Sequence, residues 1–274
     1  MSLVVFGAEE LLGGEARKLK ASIEETGSPL PAFAPYIYRV LLEQKNANKE
    51  TLAAMLAKLR IKELTAKLGP NESVEPFPAE VAFEDRFLTS PGKKPYGIPY
   101  EGALLQASLR PLLKQAGFSR LPSLPVVLLP DLLATFEPSD RRYHLRMNVL
   151  GFPALISIPG IVLAPAKPRE YYLLKRSGMD PAGLNRAFKG LFIDHGDPRL
   201  PRVVAGLALQ ALAYARTGNA FCDDAAGCSL YNAHWHHELI ALYGKDEAQN
   251  TGLSQSTPLC SAHSRMAKDW RVTP

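Results

Sequence analysis

Four residues near the end of this 274-residue chain have the types and the spacing of a metal site. Cys222 and Cys228 form a Cys-x5-Cys pair, Cys260 and His263 form a Cys-x2-His pair, and 31 residues separate the two pairs. Three thiolates and one imidazole complete a tetrahedral shell for zinc, and a shell filled by protein leaves no position for water or substrate. Such a site is structural rather than catalytic. These are the chain's three cysteines, so two other readings stand beside it: a disulfide with one thiol left over, or a reduced cluster without metal. The odd count, the Cys-x2-His half-site and the lack of a secretion-like N-terminus favour zinc.

Other residues could do chemistry of a different kind. His234, Trp235, His236, His237 and Glu238 are the densest run of candidate ligands. On a helix His234, His237 and Glu238 share a face and His236 points away, which suits a second metal or an acid–base pair. The plainer reading is polar groups that orient the zinc ligands or face solvent. In Asp194-His195-Gly196-Asp197-Pro198-Arg199 a carboxylate flanks a histidine, as a general base would need, or the string is a turn leading into a helix near Pro201. His144 among Asp140, Arg141, Arg142 and Arg146 allows the same two readings, with a charged patch on a strand the plainer. Lys167, Arg169, Lys175 and Arg176 surround Tyr171 and Tyr172. Cations bind phosphate and tyrosines stack on bases, so this run is the nucleic-acid or partner-binding candidate, extended by Arg141, Arg142 and Arg146 if the fold brings them near. Its alternative is a solvated face with half-buried tyrosines. Walker, GxGxxG and GxSxG motifs are absent from the sequence.

The elements that must position these residues are legible in outline. Asn48–Leu68 carries a helical stripe that Gly69-Pro70 would stop, and Pro29–Gln44 contains a shorter helix. Residues 69–102 turn rich in Pro, Gly and charge, with Ser90–Pro95 the plainest loop, and read as a linker. A helix follows over Glu101–Ala116. The apolar run Leu124–Leu129 reads as a buried strand, Tyr143–Gly151 as another, and Ala154–Leu163 as one or two more around Pro159-Gly160. Arg202–Arg216 is apolar nearly all round and reads as a buried helix that ends at Gly218. His234–Tyr243 reads as a helix between the two zinc half-sites. Helices, then strands, then helices favour an α/β or α+β fold. The composition shift divides the chain into a largely helical region, 1–95, and an α/β domain, 96–274.

A hydrophobic fraction of 46% and a charged fraction of 22% are those of an ordinary globular protein. The net charge of +5 permits an acidic partner without demanding one. The apolar segments Pro153–Ala166 and Val203–Ala215 are too short to cross a bilayer, and the N-terminus lacks the basic, then apolar, plan of a signal peptide. A cytoplasmic protein with no membrane partner is expected.

Read from Ala211, the segment A-L-A-Y-A-R-T-G-N-A-F-C, followed by D-D-A-A-G-C-S-L, resembles the archaemetzincins, whose peptidase motif is H-E-x-x-H-x-x-G-x-x-H-C. Gly218 falls at the motif glycine, Cys222 at the first cysteine and Leu230 near the family's methionine, and Cys260-x-x-His263 stands for its last cysteine pair. The three catalytic histidines would fall at Ala211, Ala215 and Phe221, and the general-base glutamate at Leu212. A closer likeness is to a mainly archaeal family of metallopeptidase-like proteins with no assigned activity. It rests on D-R-R-Y-H at Asp140–His144, A-P-A-K-P-R-E-Y-Y at Ala164–Tyr172, F-C-D-D at Phe221–Asp224 and L-Y-N-A-H-W at Leu230–Trp235, and spans roughly residues 80–265. The resemblance implies a metzincin-like mixed sheet with packed helices and one structural zinc held by Cys222, Cys228, Cys260 and His263. Zinc peptidases need three protein ligands, an open position for water and a carboxylate to take its proton, so it also implies that the peptidase site is lost. The first expectation is thus a zinc-stabilised, catalytically inactive relative of peptidases that binds a macromolecule, either protein or RNA. An active hydrolase around His195, His234, His237 and Glu238 is the second, and an RNA- or ribosome-associated basic protein the third.

Overall fold

The computed structural model describes residues 1–26, 28, 30–64, 75–95, 97–119, 122–223, 227–243 and 259–272. Its main sheet holds β1 (Ser2–Phe6), β2 (Ala32–Ala34), β4 (Ser123–Leu129), β7 (Asn148–Val149) and β8 (Ala154–Ser157), in the order β2-β1-β4-β8-β7. The first four are parallel to one another, and β7 closes one edge antiparallel. A second sheet joins β3 (Pro99–Glu101) parallel to β5 (Leu132–Glu137), which pairs antiparallel with β6 (Arg142–Arg146). The α/β class and the mixed sheets agree with the expectation.

Successive side chains of a strand point to opposite faces, and the central strands are apolar on both. Leu3, Val5, Leu124, Val126, Leu128, Ala154 and Ile156 enter one core, while Phe6, Val127, Leu129 and Leu155 enter another. The first is covered by α1 (Ala8–Leu12), α2 (Ala16–Glu25), α10 (Leu200–Thr217) and α11 (His236–Tyr243). The second is covered by α3 (Ile37–Glu43), α4 (Lys49–Lys58) and α6 (Gly102–Gln115). A strand covered on both faces has no reason to alternate with polar residues, which is why Leu124–Leu129 reads as a continuous apolar run. Each fully buried Leu or Val contributes about 1.5–3 kcal/mol, so burial on both faces makes this sheet the frame of the molecule.

Several sequence expectations are corrected. The helix after Asn48 ends at Lys58, because Leu59 and Ile61 leave it to pair with β3: the Ile61 N–H donates to Pro99 O (2.8 Å) and the Glu101 N–H to Leu59 O (2.9 Å). The expected stop at Gly69-Pro70 lies outside the described residues. The supposed linker contains α5 (Pro78–Phe87) and β3; Pro78 opens the helix and the Glu80 carboxylate accepts the Phe77 N–H (2.8 Å), a start signal present in the sequence. Of the one or two strands expected over Ala154–Leu163 one forms, as β8, and past Ser157 the chain is the helix α7 (Ile158–Leu163). Ser157 Oγ accepts the Gly160 N–H (2.8 Å) and Pro159 sits in the first turn, so Pro159-Gly160 begins a helix instead of interrupting a strand. Residues 1–95 are largely helical but not a separate unit, since β1 lies between β2 and β4 and shares both cores with the later strands.

Candidate metal centre

The last turn of α10 delivers the chain to the cysteine cluster. Gly218 ends the helix in the left-handed region (φ 77°), with its N–H on Tyr214 O (2.9 Å). Thr217 Oγ1 donates to Ala213 O (2.8 Å) and accepts the Asn219 N–H (3.1 Å), and Asn219 Oδ1 accepts the Phe221 N–H (3.0 Å). The chain then doubles back on itself: the Cys222 N–H donates to Leu230 O (2.8 Å) and the Tyr231 N–H to Cys228 O (2.7 Å). From the far end, Cys260 precedes α12 (Ser261–Val272), its carbonyl accepting the Ser264 N–H (2.8 Å), and His263 stands in the first turn.

Cys222 Sγ, Cys228 Sγ, Cys260 Sγ and a His263 ring nitrogen all lie within 4.8 Å of one another. His263 Nδ1 is 3.0 Å from Cys260 Sγ and 3.7 Å from Cys228 Sγ. A tetrahedral zinc shell with Zn–S near 2.3 Å sets its ligand atoms about 3.8 Å apart, so the set needs only small side-chain shifts to close on an ion. Soft thiolates with one imidazole suit zinc. All three cysteines stand as free thiols in this structure. Burial, with the neighbouring cysteines adding to it, pushes the Cys228 thiol up to about 11. The Cys260 thiol is pulled down to about 7, first by the backbone N–H of His263 and then by its side chain. Cys260 therefore ionises more readily than Cys228, at the start of a helix that favours negative charge.

Tyr243 of α11 braces the loop. Its hydroxyl donates to Ser229 O (2.9 Å), beside Cys228, and its ring lies against Gly206 of α10, where any Cβ would overlap the phenol. On α10 the positions that the resemblance assigns to peptidase ligands and base are core residues: Ala211, Leu212 and Ala215 are buried among apolar neighbours.

The other candidates are placed as follows. His234 and His237 are exposed, and the Glu238 carboxylate accepts the backbone N–H groups of His234 (2.7 Å) and Trp235 (2.9 Å), so it caps α11. Because α11 starts at His236, the expected His234/His237/Glu238 helical face does not form; His236, expected to point away, is the fully buried histidine. Its Nδ1 accepts the Ile193 N–H (3.2 Å) and its Nε2 lies 3.2 Å from Val162 O. Burial pushes its pKa down to about 4. His195 sits on an exposed turn, with the Asp194 carboxylate on its backbone N–H (2.7 Å) and its own pKa lowered by burial. His144 pairs with Asp140 (2.7 Å) at the surface. Arg141 and Arg142 are exposed at the β5–β6 turn. Arg169, Tyr172, Lys175 and Arg176 are exposed on α8 (Arg169–Arg176), whereas Tyr171 packs inward and Lys167 is half-buried.

One constellation escaped sequence reasoning. Glu84 of α5 is fully buried and accepts from Arg60 Nε (2.7 Å), Tyr100 Oη (2.6 Å) and Lys94 Nζ (2.7 Å); Lys94 also pairs with buried Asp131, at the link between the two sheets. Burial raises the Asp131 pKa against the opposing pull of Lys94. Burial disfavours the Lys94 ammonium, but Asp131 and Glu84 outweigh it and hold its pKa high. These partners come from α5, the two sheets and the segments between, so no spacing announces them; in sequence Glu84 and Lys94 look like the charges of a linker.

Comparison with solved structures finds similarity to a zinc-dependent peptidase from Methanocorpusculum labreanum (strain Z), at 12% identity over 98% of this chain and 100% of that one, with a TM-score of 0.37. At that score the likeness supports no argument about the site. Among curated proteins none matches. A family profile described as "Probable metallopeptidase family (DUF6775)" matches residues 36–270, which takes in all four residues of the candidate metal centre, and by that match the chain belongs to this probable metallopeptidase family.

Proposed function

We propose that this protein is a zinc-stabilised, archaemetzincin-like member of its family that has lost the peptidase zinc site and works by binding another macromolecule. The observation that carries the reading is a redistribution of metal-capable side chains. The helix that the resemblance aligns with the peptidase motif offers Ala211, Leu212 and Ala215 to the core. Among the described residues, the one group of three or more His, Cys, Asp or Glu residues able to share an ion is Cys222, Cys228, Cys260 and His263. Four protein ligands leave no coordination position for a hydrolytic water. In this reading one zinc fastens the loop after α10 to α12, and it supplies folding energy instead of chemistry; zinc-finger peptides gain about 10–16 kcal/mol from such sites.

Elemental analysis beside a fluorogenic peptide assay tests this. One zinc per chain, lost in a Cys222→Ser/Cys228→Ser variant, with no peptide hydrolysis by the zinc-loaded protein, is the expected result. A second zinc that survives the double substitution, together with hydrolysis, would instead return the protein to the active peptidases.

A further inference from the structure

We propose that the exposed face of α8, together with Trp235, binds single-stranded nucleic acid through phosphate-neutralising arginines beside two stacking rings. The inference rests on the macromolecule-binding reading above and names its surface and partner.

Arg169, Tyr172, Leu173 and Arg176 stand at positions i, i+3, i+4 and i+7 of α8, so they share one face of the helix. All four are exposed, Tyr172 at 46%. The opposite face is anchored: Tyr171 and Leu174 pack against the small core of Leu184, Phe188 and Phe192, with the Tyr171 ring 5.5 Å from Phe188 and 5.6 Å from Phe192. The helix therefore cannot turn its arginines inward. Lys167 Nζ lies over the rings of Tyr171 and Phe192 (4.6 and 4.4 Å), which holds its cation at the anchored side.

Trp235 comes to the same place from another part of the chain. The Ala166 N–H donates to His234 O (2.8 Å) and the His236 N–H to Ala166 O (3.0 Å), which fastens Trp235 alongside Ala166. The next residue, Lys167, donates its backbone N–H to the Tyr172 hydroxyl (3.1 Å). Two exposed aromatic residues thus attach at consecutive positions of the chain, Tyr172 by its hydroxyl at Lys167 and Trp235 (42% exposed) by its backbone at Ala166. Among the described residues none of Arg169, Lys175 and Arg176 enters an ion pair.

Unpaired cations beside exposed rings meet both requirements of a single strand: phosphate neutralisation and a π-face for each splayed base. An acidic peptide would use the arginines and leave the rings without a role. A lipid surface needs a continuous apolar insertion face, whereas Leu173 here sits between two arginines. The chain's overall charge of +5 acts in the same direction.

The test is fluorescence polarisation of labelled oligouridine and oligothymidine of about 20 nucleotides with the full-length protein, at about 50 and about 200 mM salt. Variants are first matched to wild type in zinc content and thermal melt. We expect binding that weakens with salt. Arg169→Ala/Arg176→Ala should cost about tenfold or more and flatten the salt slope by about two phosphates. Tyr172→Ala and Trp235→Ala should each cost roughly 5- to 150-fold, while Tyr172→Phe, which keeps the ring, should bind like wild type. No binding of either oligonucleotide at the lower salt would overturn the proposal. So would variants that bind like wild type, polyglutamate that competes as well as unlabelled oligonucleotide, or capture on anionic vesicles without oligonucleotide binding. Any of these, beside one zinc per chain and no peptide hydrolysis, would remove this surface and leave the lost-peptidase reading intact.

Discussion

At the scale of single residues, the chemistry divides between side chains that bind and side chains that hold. The four candidate metal ligands announce themselves by type and spacing, because few other uses bring three cysteines and a histidine together in half-sites. His236 does not announce itself, since one histidine in a run of three carries no mark of which will be buried. Its burial has a pH consequence. An ordinary histidine titrates near 6.5, and the folded protein holds His236 neutral down to about 4. The unfolded chain therefore binds more protons between those values. The stability that neutral His236 contributes is fully present above about pH 6.5 and is lost as the pH falls towards 4. Lys167 and Arg199 push in the same direction and Asp194 against it. Thermal melts of wild type and His236→Phe from pH 7 to pH 4 should diverge in slope, by on the order of 2 kcal/mol in favour of the variant's acid tolerance. Comparing the two slopes separates His236 from acid release of any zinc held at the candidate centre, which both proteins would share. Parallel slopes would mean that the buried imidazole does not carry this dependence.

At the scale of elements, the candidate metal centre depends on a close approach between two helices. α10 is legible as a buried helix because it is apolar on every side, and Gly218 marks its end. What the pattern could not reveal is that Gly206, within that helix, makes room for Tyr243 of α11. Gly206→Ala would gain helix propensity of about 1 kcal/mol in isolation. Here it must displace a fully buried phenol from Ser229 O, and overpacking of that kind costs about 1–3 kcal/mol, beyond the lost hydrogen bond. Net destabilisation is expected in urea melts, together with weaker zinc retention against a chelator, because the displaced ring braces the residue beside Cys228. A more stable Gly206→Ala protein with unchanged zinc retention would show that α10 and α11 can part without cost. The start of α7 teaches a related point: Pro159-Gly160 looks like a break in a strand, but with Ser157 as cap the same residues begin a helix.

At the scale of the whole molecule, the composition shift near residue 95 is real but does not divide the core. β1 supplies Leu3 and Val5 to one face of the main sheet and Phe6 to the other, between β2 and β4. The buried Arg60–Glu84–Lys94–Asp131 network also crosses that point, and removing one partner of such a network leaves an uncompensated charge worth about 3–5 kcal/mol. A fragment of residues 96–274 loses β1 and leaves Asp131 buried without Lys94. It should therefore fail to give a cooperative melt even with zinc present, as read by circular dichroism. A sharp melt from that fragment would restore residue 95 as a domain boundary. The molecule has no helix long and apolar enough to cross a membrane among its described residues, as the short apolar segments had suggested.

The sequence by itself determined what local chemistry can encode: the zinc-type ligand set, the doubly covered apolar strand at Leu124–Leu129, the buried helix and its glycine stop, and the α/β class. Only the tertiary structure decided which polar groups would be buried together. Glu84 meets Lys94 across 10 residues of chain, and Lys94 meets Asp131 across 37. It also decided that Tyr172 and the backbone of Trp235 would meet the chain at the neighbouring residues Lys167 and Ala166, and that Tyr171 would be drawn inside. The reason is physical. Periodicity, caps and half-site spacings act over a few residues, where backbone geometry fixes who neighbours whom. Burial and ion pairing are decided by contacts between distant segments, and no local pattern records them.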